Sequence, residues 1–129
     1  MLWYIALGSA LGGMVRYLLG GFIQRLAGGT FPLGTLVINV TGSFLLGFIL
    51  KLALESSLVS VELRAFLTIG FCGGYTTFST YSFEVARMLE DGDYRRAALY
   101  AVLSVLLALA ATFVGFVACR QLLVLRRGG

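Results

Sequence analysis

Four long apolar stretches alternate with short polar segments along the chain, at residues 3–22, 33–50, 65–83 and 97–119. The last three contain no charged residue, and the first is interrupted only by Arg16. Each is close to the roughly 20 apolar residues that an α-helix needs to cross a membrane. The pattern predicts an all-α integral membrane protein with four transmembrane helices.

The polar segments place the ends of these helices at about residues 2–24, 33–54, 63–89 and 95–122. Together the helices use most of the 129 residues. We therefore expect a single transmembrane domain, residues 1–129, embedded in the lipid bilayer.

Composition narrows the function. Only 12% of the residues are charged, against about 25% in soluble domains. The chain has no histidine, and no nucleophile with a neighbouring base is evident, so we do not expect an enzyme. The net charge of +4 comes from Lys and Arg near helix ends, where such side chains usually reach lipid headgroups. Nucleic-acid binding is not expected.

The middle of the third stretch is a poor helix interior. Gly73 and Gly74 are followed closely by Thr76 and Thr77, and paired glycines and β-branched residues weaken a helix. Irregular backbone inside a membrane must face protein or water. We predict a break in the third helix within residues 73–80, with carbonyls available to a cation and amides or hydroxyls to an anion. A continuous helix, with hydroxyls bonded to their own backbone, is the alternative.

Several polar or aromatic residues within the apolar stretches have two interpretations each. Arg16 either attracts an anion in a water-filled vestibule or is structural, reaching headgroups or bracing exposed carbonyls. Asn39 either bonds across helices or faces a polar path. Glu84 either meets water near a helix end or joins such a path. Phe78 and Tyr81, three residues apart, either offer positive ring edges to an anion or simply pack.

The distribution of Lys and Arg residues indicates how the chain is oriented in the membrane. With four crossings, one side carries five Lys or Arg residues (Lys51, Arg64, Arg120, Arg126, Arg127) and the other carries four (Arg25, Arg87, Arg95, Arg96). Orientation follows an excess of these residues on the cytoplasmic side. So small a difference is compatible with insertion in both orientations. Because four helices enclose little space for a path, we also expect an oligomer.

Three segments together resemble the Fluc (CrcB) family of fluoride channels. They are GGMVRY at 12–17, GTLVINVTGSF at 34–44, and GFCGGYTTFSTYSFE at 70–84. The third is long and unusual, and therefore the most specific. Length, helix count and segment order agree as well, so the resemblance covers essentially the whole chain.

The resemblance implies a fluoride-selective ion channel that exports fluoride passively from the cytoplasm. It implies an antiparallel, dual-topology homodimer in the cell inner (plasma) membrane, with a second copy of the chain as partner and two pores. It also implies one structural Na⁺ at the centre of the dimer, held by backbone carbonyls. The matching positions in this chain are Gly73 and Thr76.

The resemblance also implies residues of the fluoride path. Asn39 is similar to the pore asparagine, and Phe78 and Tyr81 fall on the two aromatic positions. The family usually has Phe at both, so Tyr81 departs from its pattern; a phenol would keep the ring edge and add a donor. A polar track leading away from the aromatics is matched by Thr35, Glu84, Tyr100 and Ser104.

A small dual-topology, proton-coupled exporter of organic cations is the alternative function. Such four-helix proteins depend on a carboxylate within the membrane. The first helix of this chain has Arg16 and no acidic residue, which argues against this alternative.

Overall fold

A computed structural model of the chain describes residues 1–128, and this part is helical with short connections. Helix α1 spans Leu2–Ala27, α2 spans Leu33–Glu55, and α6 spans Tyr94–Gly128. These three helices are each long and apolar enough to cross a membrane. Helix α6 continues past the predicted end at residue 122, because no proline or glycine lies between that residue and Gly128.

The third crossing consists of several pieces. A single turn, α3 (Val61–Arg64), leads into a π-helical segment at Ala65–Cys72 and then α4 (Gly73–Tyr75). Helix α5 follows at Phe78–Glu90. We refer to residues 61–90 as the third crossing. None of its pieces has the length of a membrane-spanning helix, so the third predicted transmembrane helix, at residues 63–89, is an interrupted one.

The predicted break is confirmed, but it is narrower than expected. Thr76 (φ −82°, ψ 157°) and Thr77 (φ −149°, ψ 114°) have extended backbone. Gly73 and Gly74, expected to lie in the irregular part, are helical. The two extended residues are β-branched, which suits extended backbone better than helix. The π-helical segment before them was not predicted, since no sequence pattern marks it.

Helix α1 packs closely against the first half of the third crossing. A Cβ atom at Gly8 would overlap the Phe66 carbonyl oxygen, and one at Gly12 would overlap that of Phe71. A Cβ atom at Gly74 would similarly lie 2.5 Å from the Ser9 carbonyl oxygen. Small residues allow such close approach of helices in lipid. The glycine face of α1 is therefore used within the chain.

Helix α2 packs along α6, and glycines again mark the crossing. Cβ atoms at Gly47 and Gly115 would lie 2.6 Å from the Thr112 carbonyl oxygen and 2.5 Å from that of Phe44. The Ile38 and Tyr100 side chains are among those completely buried. This pairing supplies the frame against which α5 and the break are positioned.

The loop between α1 and α2 is held by one side chain. Gly28 ends α1 with φ 70°, a left-handed conformation that glycine adopts readily. The Gln24 amide donates to the carbonyl oxygens of Gly29 (3.1 Å) and Phe31 (3.0 Å) and accepts from the Gly34 amide (3.0 Å). The loop therefore lies at a defined place beside the candidate site.

Candidate functional site

Asn39 on α2 satisfies the backbone at the break. Its side-chain amide donates to the Thr77 carbonyl oxygen (3.1 Å), and its carbonyl oxygen accepts from the Thr77 amide (2.8 Å). Both backbone groups of one extended residue are thereby paired, where lipid would offer no partner. Of the two interpretations, the structure places Asn39 in a bond across helices.

The break also uses its own hydroxyls. The Thr77 side chain caps α5 by accepting from the Thr80 amide at 3.2 Å. The Thr76 hydroxyl donates to the Cys72 carbonyl oxygen at 2.8 Å, beside the backbone bond from the Thr76 amide at 3.0 Å. Threonine is a good residue at both positions because its hydroxyl can cap a helix start or bond back one turn.

Arg16 on α1 braces the end of α4. Its Nε donates to the Gly74 carbonyl oxygen at 3.0 Å. A continuous helix would pair this carbonyl with the amide of Phe78, which here begins α5. The bracing role is therefore observed. Arg16 also lines a cavity of about 400 Å³ together with Thr35 and Glu84. Its other interpretation, attraction of an anion into a water-filled vestibule, is therefore compatible with its position.

Two predicted polar-track residues, from α2 and α6, bond to a third, Glu84 on α5. The Thr35 hydroxyl donates to one carboxylate oxygen at 3.1 Å, and the Tyr100 hydroxyl donates to the other at 3.0 Å. The Tyr100 ring is fully buried, and the Phe31 ring contacts it edge to face, with 5.5 Å between centroids. Glu84 is thus part of a polar cluster rather than a solvated helix end.

The predicted aromatic pair extends through Tyr100 into a row of four rings that ends at Phe31. The Phe78 and Tyr81 centroids are 5.6 Å apart, and those of Tyr81 and Tyr100 are 5.4 Å apart. Phe78 is 78% exposed on the outside of the chain. The Tyr81 hydroxyl donates to the Ala101 carbonyl oxygen on α6 at 2.8 Å. The additional donor of the phenol is thus directed at a helix backbone.

A groove of about 260 Å³ lies beside this row. Asn39, Thr77, Phe78, Tyr81 and Ser104 contribute to its lining. Ser104 is only 7% exposed, and within residues 1–128 its hydroxyl has no hydrogen-bond partner. Buried hydroxyls are nearly always paired. The lining of this groove therefore combines aromatic rings with a buried hydroxyl that has no partner among the described residues.

The Gly73 carbonyl has one feature that a cation ligand needs: it is not paired with the amide that a continuous helix would provide. A continuous α-helix would pair it with the Thr77 amide, but that amide donates to Asn39. Gly73 is exposed on the outside of the chain, and Thr76 is partly exposed beside it. Within residues 1–128 no group of three His, Cys, Asp or Glu side chains could hold a metal. A cation here would depend on backbone oxygens.

Comparison with known proteins identifies the family. The sequence profile of the family described as CrcB-like protein, Camphor Resistance (CrcB), matches residues 3–116. The chain belongs to the CrcB family. The matched residues contain every candidate site residue described above, so the CrcB profile covers the whole site.

Individual relatives within the family are closely similar. A protein of Geobacter sulfurreducens named fluoride-specific ion channel FluC is 52% identical over 118 residues, which cover 92% of this chain and 95% of the relative. A protein of the same name from Geobacter metallireducens is 50% identical with the same coverage, and one from Geotalea daltonii is 45% identical over 119 residues, 92% of this chain and 96% of the relative. These CrcB proteins are named as ion channels and not as enzymes.

Some contacts that shape the site were not predicted. Gln24 and the Ala101 carbonyl oxygen each hold a site element in place. Thr77 lies in the predicted break, but its pairing with Asn39 and its capping of α5 were not foreseen. Thr77 was recognisable as a helix cap, because a threonine before a helix start is a common signal. The Ala101 carbonyl had no signal at all, since backbone acceptors carry no residue identity.

Proposed function

We propose that this chain forms a fluoride-selective channel through which accumulated fluoride leaves the cytoplasm passively. Membership of the CrcB family and the names of its relatives support this function. The observation that carries it is the groove beside the exposed Phe78 and the Tyr81 ring. Ser104 also lines this groove, and within residues 1–128 its buried hydroxyl has no hydrogen-bond partner. Fluoride is small and strongly hydrated, so donors and ring edges must replace its water.

The channel is proposed to be an antiparallel, dual-topology homodimer in the cell inner membrane, with two pores. The nearly equal Lys and Arg counts on the two sides support insertion in both orientations. The groove is open on the outside of the chain, where Phe78 is mostly exposed. A second copy would close the groove, and two copies related by a two-fold axis would form two such paths.

The proposed path follows the aromatic row and the polar residues around it. The edges of Phe78 and Tyr81 attract the anion, and Asn39 and Ser104 lie at the same groove. Thr35, Glu84 and Tyr100 continue the polar surface beyond Tyr81. The groove contains no ammonium group among its lining residues. An ion can therefore bind and leave again, as conduction requires.

Two charges are proposed to support this path. A structural Na⁺ at the centre of the dimer is proposed to be held by the carbonyls of Gly73 and Thr76 from both copies, and it would supply fixed positive charge between them. Arg16 is proposed to attract fluoride into the polar cavity while it braces Gly74. The Asn39–Thr77 bonds keep the Gly73 carbonyl free of its helical partner.

Fluoride efflux from liposomes, measured with a fluoride electrode on purified protein, tests this function. The parent should release fluoride rapidly with negligible chloride movement. Phe78→Ile should reduce the fluoride flux by at least about tenfold, because it removes a ring edge that replaces hydration water. Phe113→Ile, an exposed ring on α6 that does not line the groove, is the matched control and should conduct like the parent.

Two results would contradict the proposal. A parent that releases no fluoride would not be a fluoride channel. Uptake of a cationic dye driven by a proton gradient, without fluoride efflux, would instead support the exporter of organic cations, with Glu84 as its carboxylate within the membrane.

A further inference from the structure

Phe31, at the end of the aromatic row, contacts two side chains of α6. It lies in the connection between α1 and α2, at residues 28–32. The Tyr100 ring packs edge to face with it, with 5.5 Å between centroids, and the Arg96 guanidinium carbon lies over its face, 5.7 Å from its centroid. Arg96 and Tyr100 are four positions apart and therefore neighbours on one side of α6. The Phe31 ring thus connects the guanidinium with the buried phenol.

Different groups hold the backbone and the side chains of this connection. Gln24 bonds only to backbone atoms, those of the connection and of the start of α2. Arg96 contacts side chains: its Nη1 donates to the Thr30 hydroxyl at 2.8 Å, and its guanidinium covers the Phe31 ring. Its contact with Asp93 is longer, at 3.8 Å, and both side chains are partly exposed, so this ion pair stabilises little. Loss of the guanidinium would therefore free the Phe31 ring while Gln24 keeps the backbone in place.

The position of the Tyr100 ring decides where its hydroxyl lies. This hydroxyl donates to the Glu84 carboxylate at 3.0 Å. The ring is fully buried and contacts the Phe31 and Tyr81 rings, whose centroids are 5.5 and 5.4 Å away. Close packing of this kind leaves a ring little freedom. A Phe31 ring that moved away would remove one of these contacts and loosen the bond to Glu84.

We propose that Arg96 is a positioning residue of the ion path, which holds Phe31 against Tyr100 and thereby keeps the Tyr100 hydroxyl on Glu84. The proposal rests on the proposed function, because Glu84 and Tyr100 belong to the polar end of the proposed path. A Glu84 carboxylate that has lost a donor presents more of its negative charge to the path and repels an anion there. Arg96 acts here through two aromatic rings and not through contact with the ion.

Fluoride flux from liposomes, measured as a function of fluoride concentration, tests this link. Tyr100→Phe removes the hydroxyl and should raise the half-saturating fluoride concentration by about tenfold, as expected for one hydrogen bond to a charged group. Arg96→Gln should raise it by about threefold, because the hydroxyl then leaves Glu84 for only part of the time. Phe31→Leu keeps an apolar side chain but removes the ring, and should give the same increase as Arg96→Gln.

Combined variants separate this link from a direct effect of the Arg96 charge. Arg96 and Glu84 line the same cavity of about 220 Å³, so attraction of the ion by the guanidinium itself is the competing explanation. In a Tyr100→Phe background, Arg96→Gln should cause no further increase, because the hydroxyl that it positions is already absent. Arg96→Gln combined with Phe31→Leu should match either single variant. A direct attraction would give the same factor with and without the Tyr100 hydroxyl, and this result would overturn the proposal.

Arg95→Gln is the matched control. Arg95 carries the same charge one position earlier on α6, is exposed and does not line this cavity, so its variant should match the parent. If Arg96→Gln does not assemble, Phe31→Leu, alone and with Tyr100→Phe, tests the same link.

Three other results would contradict the proposal. Arg96→Gln could leave the half-saturating concentration unchanged, lower only the maximal flux as a merely structural residue would, or have the same effect as Arg95→Gln. Each would show that Arg96 does not position Tyr100. Absence of fluoride flux in the parent would instead overturn the proposed function itself.

Discussion

Helix α6 and the third crossing pair their backbone amides and carbonyls in different ways. Helix α6 runs without interruption from Tyr94 to Gly128 and pairs its backbone groups internally. The third crossing changes to a π-helical segment, resumes as a short α-helix and then breaks at Thr76 and Thr77. In lipid, a freed amide or carbonyl must find a partner elsewhere in the protein. The difference shows where the backbone is self-sufficient and where it depends on its neighbours.

The neighbours of the break are single polar side chains on α1 and α2. Arg16 pairs with the Gly74 carbonyl, and Asn39 pairs with both backbone groups of Thr77. Both residues were also candidates for direct contact with an ion. Their observed bonds make them part of the scaffold that keeps the break open. Substitutions that affect stability should therefore concentrate around the third crossing.

Asn39→Ala should have the largest effect. It leaves the Thr77 amide and carbonyl unpaired within the membrane, and two such groups correspond to a loss of about 3 kcal/mol in the free energy of unfolding. Thermal unfolding in detergent, followed by circular dichroism at fixed protein concentration, measures the change. An unchanged midpoint would mean that the break does not depend on Asn39.

Gly12→Ala should have an intermediate effect on the same measurement. The added Cβ overlaps the Phe71 carbonyl oxygen and lies 2.9 Å from the Tyr75 amide nitrogen, so α1 must move away from the third crossing. Overpacking of this kind lowers stability by about 2 kcal/mol. Gly13→Ala is the matched control, since nothing lies within 4 Å of its added Cβ. Equal midpoints for the two variants would contradict this packing.

Thr112→Val on α6 should have the smallest effect. Its hydroxyl donates to the Ala108 carbonyl oxygen at 3.0 Å and, at 3.4 Å, to the Ser43 carbonyl oxygen on α2. Both oxygens lie inside helices that already pair them with amides. Removing the hydroxyl should change the free energy of unfolding by about 0.5 kcal/mol or less. A loss as large as that of Asn39→Ala would mean that α6 is not the self-sufficient element described here.

Much of the fold was predictable from hydropathy alone. The apolar stretches located α1, α2 and α6, because length and lack of charge are sufficient to define a membrane-spanning helix. The glycines and threonines at 73–77 located the break to within a few residues, because local propensity and freed backbone groups concern neighbours in the chain. The family could also be recognised from the sequence, because each of the three segments that resemble it is continuous in the chain.

The partners of the polar residues could not be predicted in the same way. Nothing in the sequence distinguished an Arg16 that braces Gly74 from one that faces only water, and nothing connected Tyr81 with Ala101. These pairs join residues far apart in the chain, and their acceptors are backbone atoms common to every residue. The sequence by itself determined which segments enter the membrane and where one of them cannot remain helical. Only the tertiary structure decided which side chains pair with the exposed backbone, because that choice depends on how the helices rotate and approach one another.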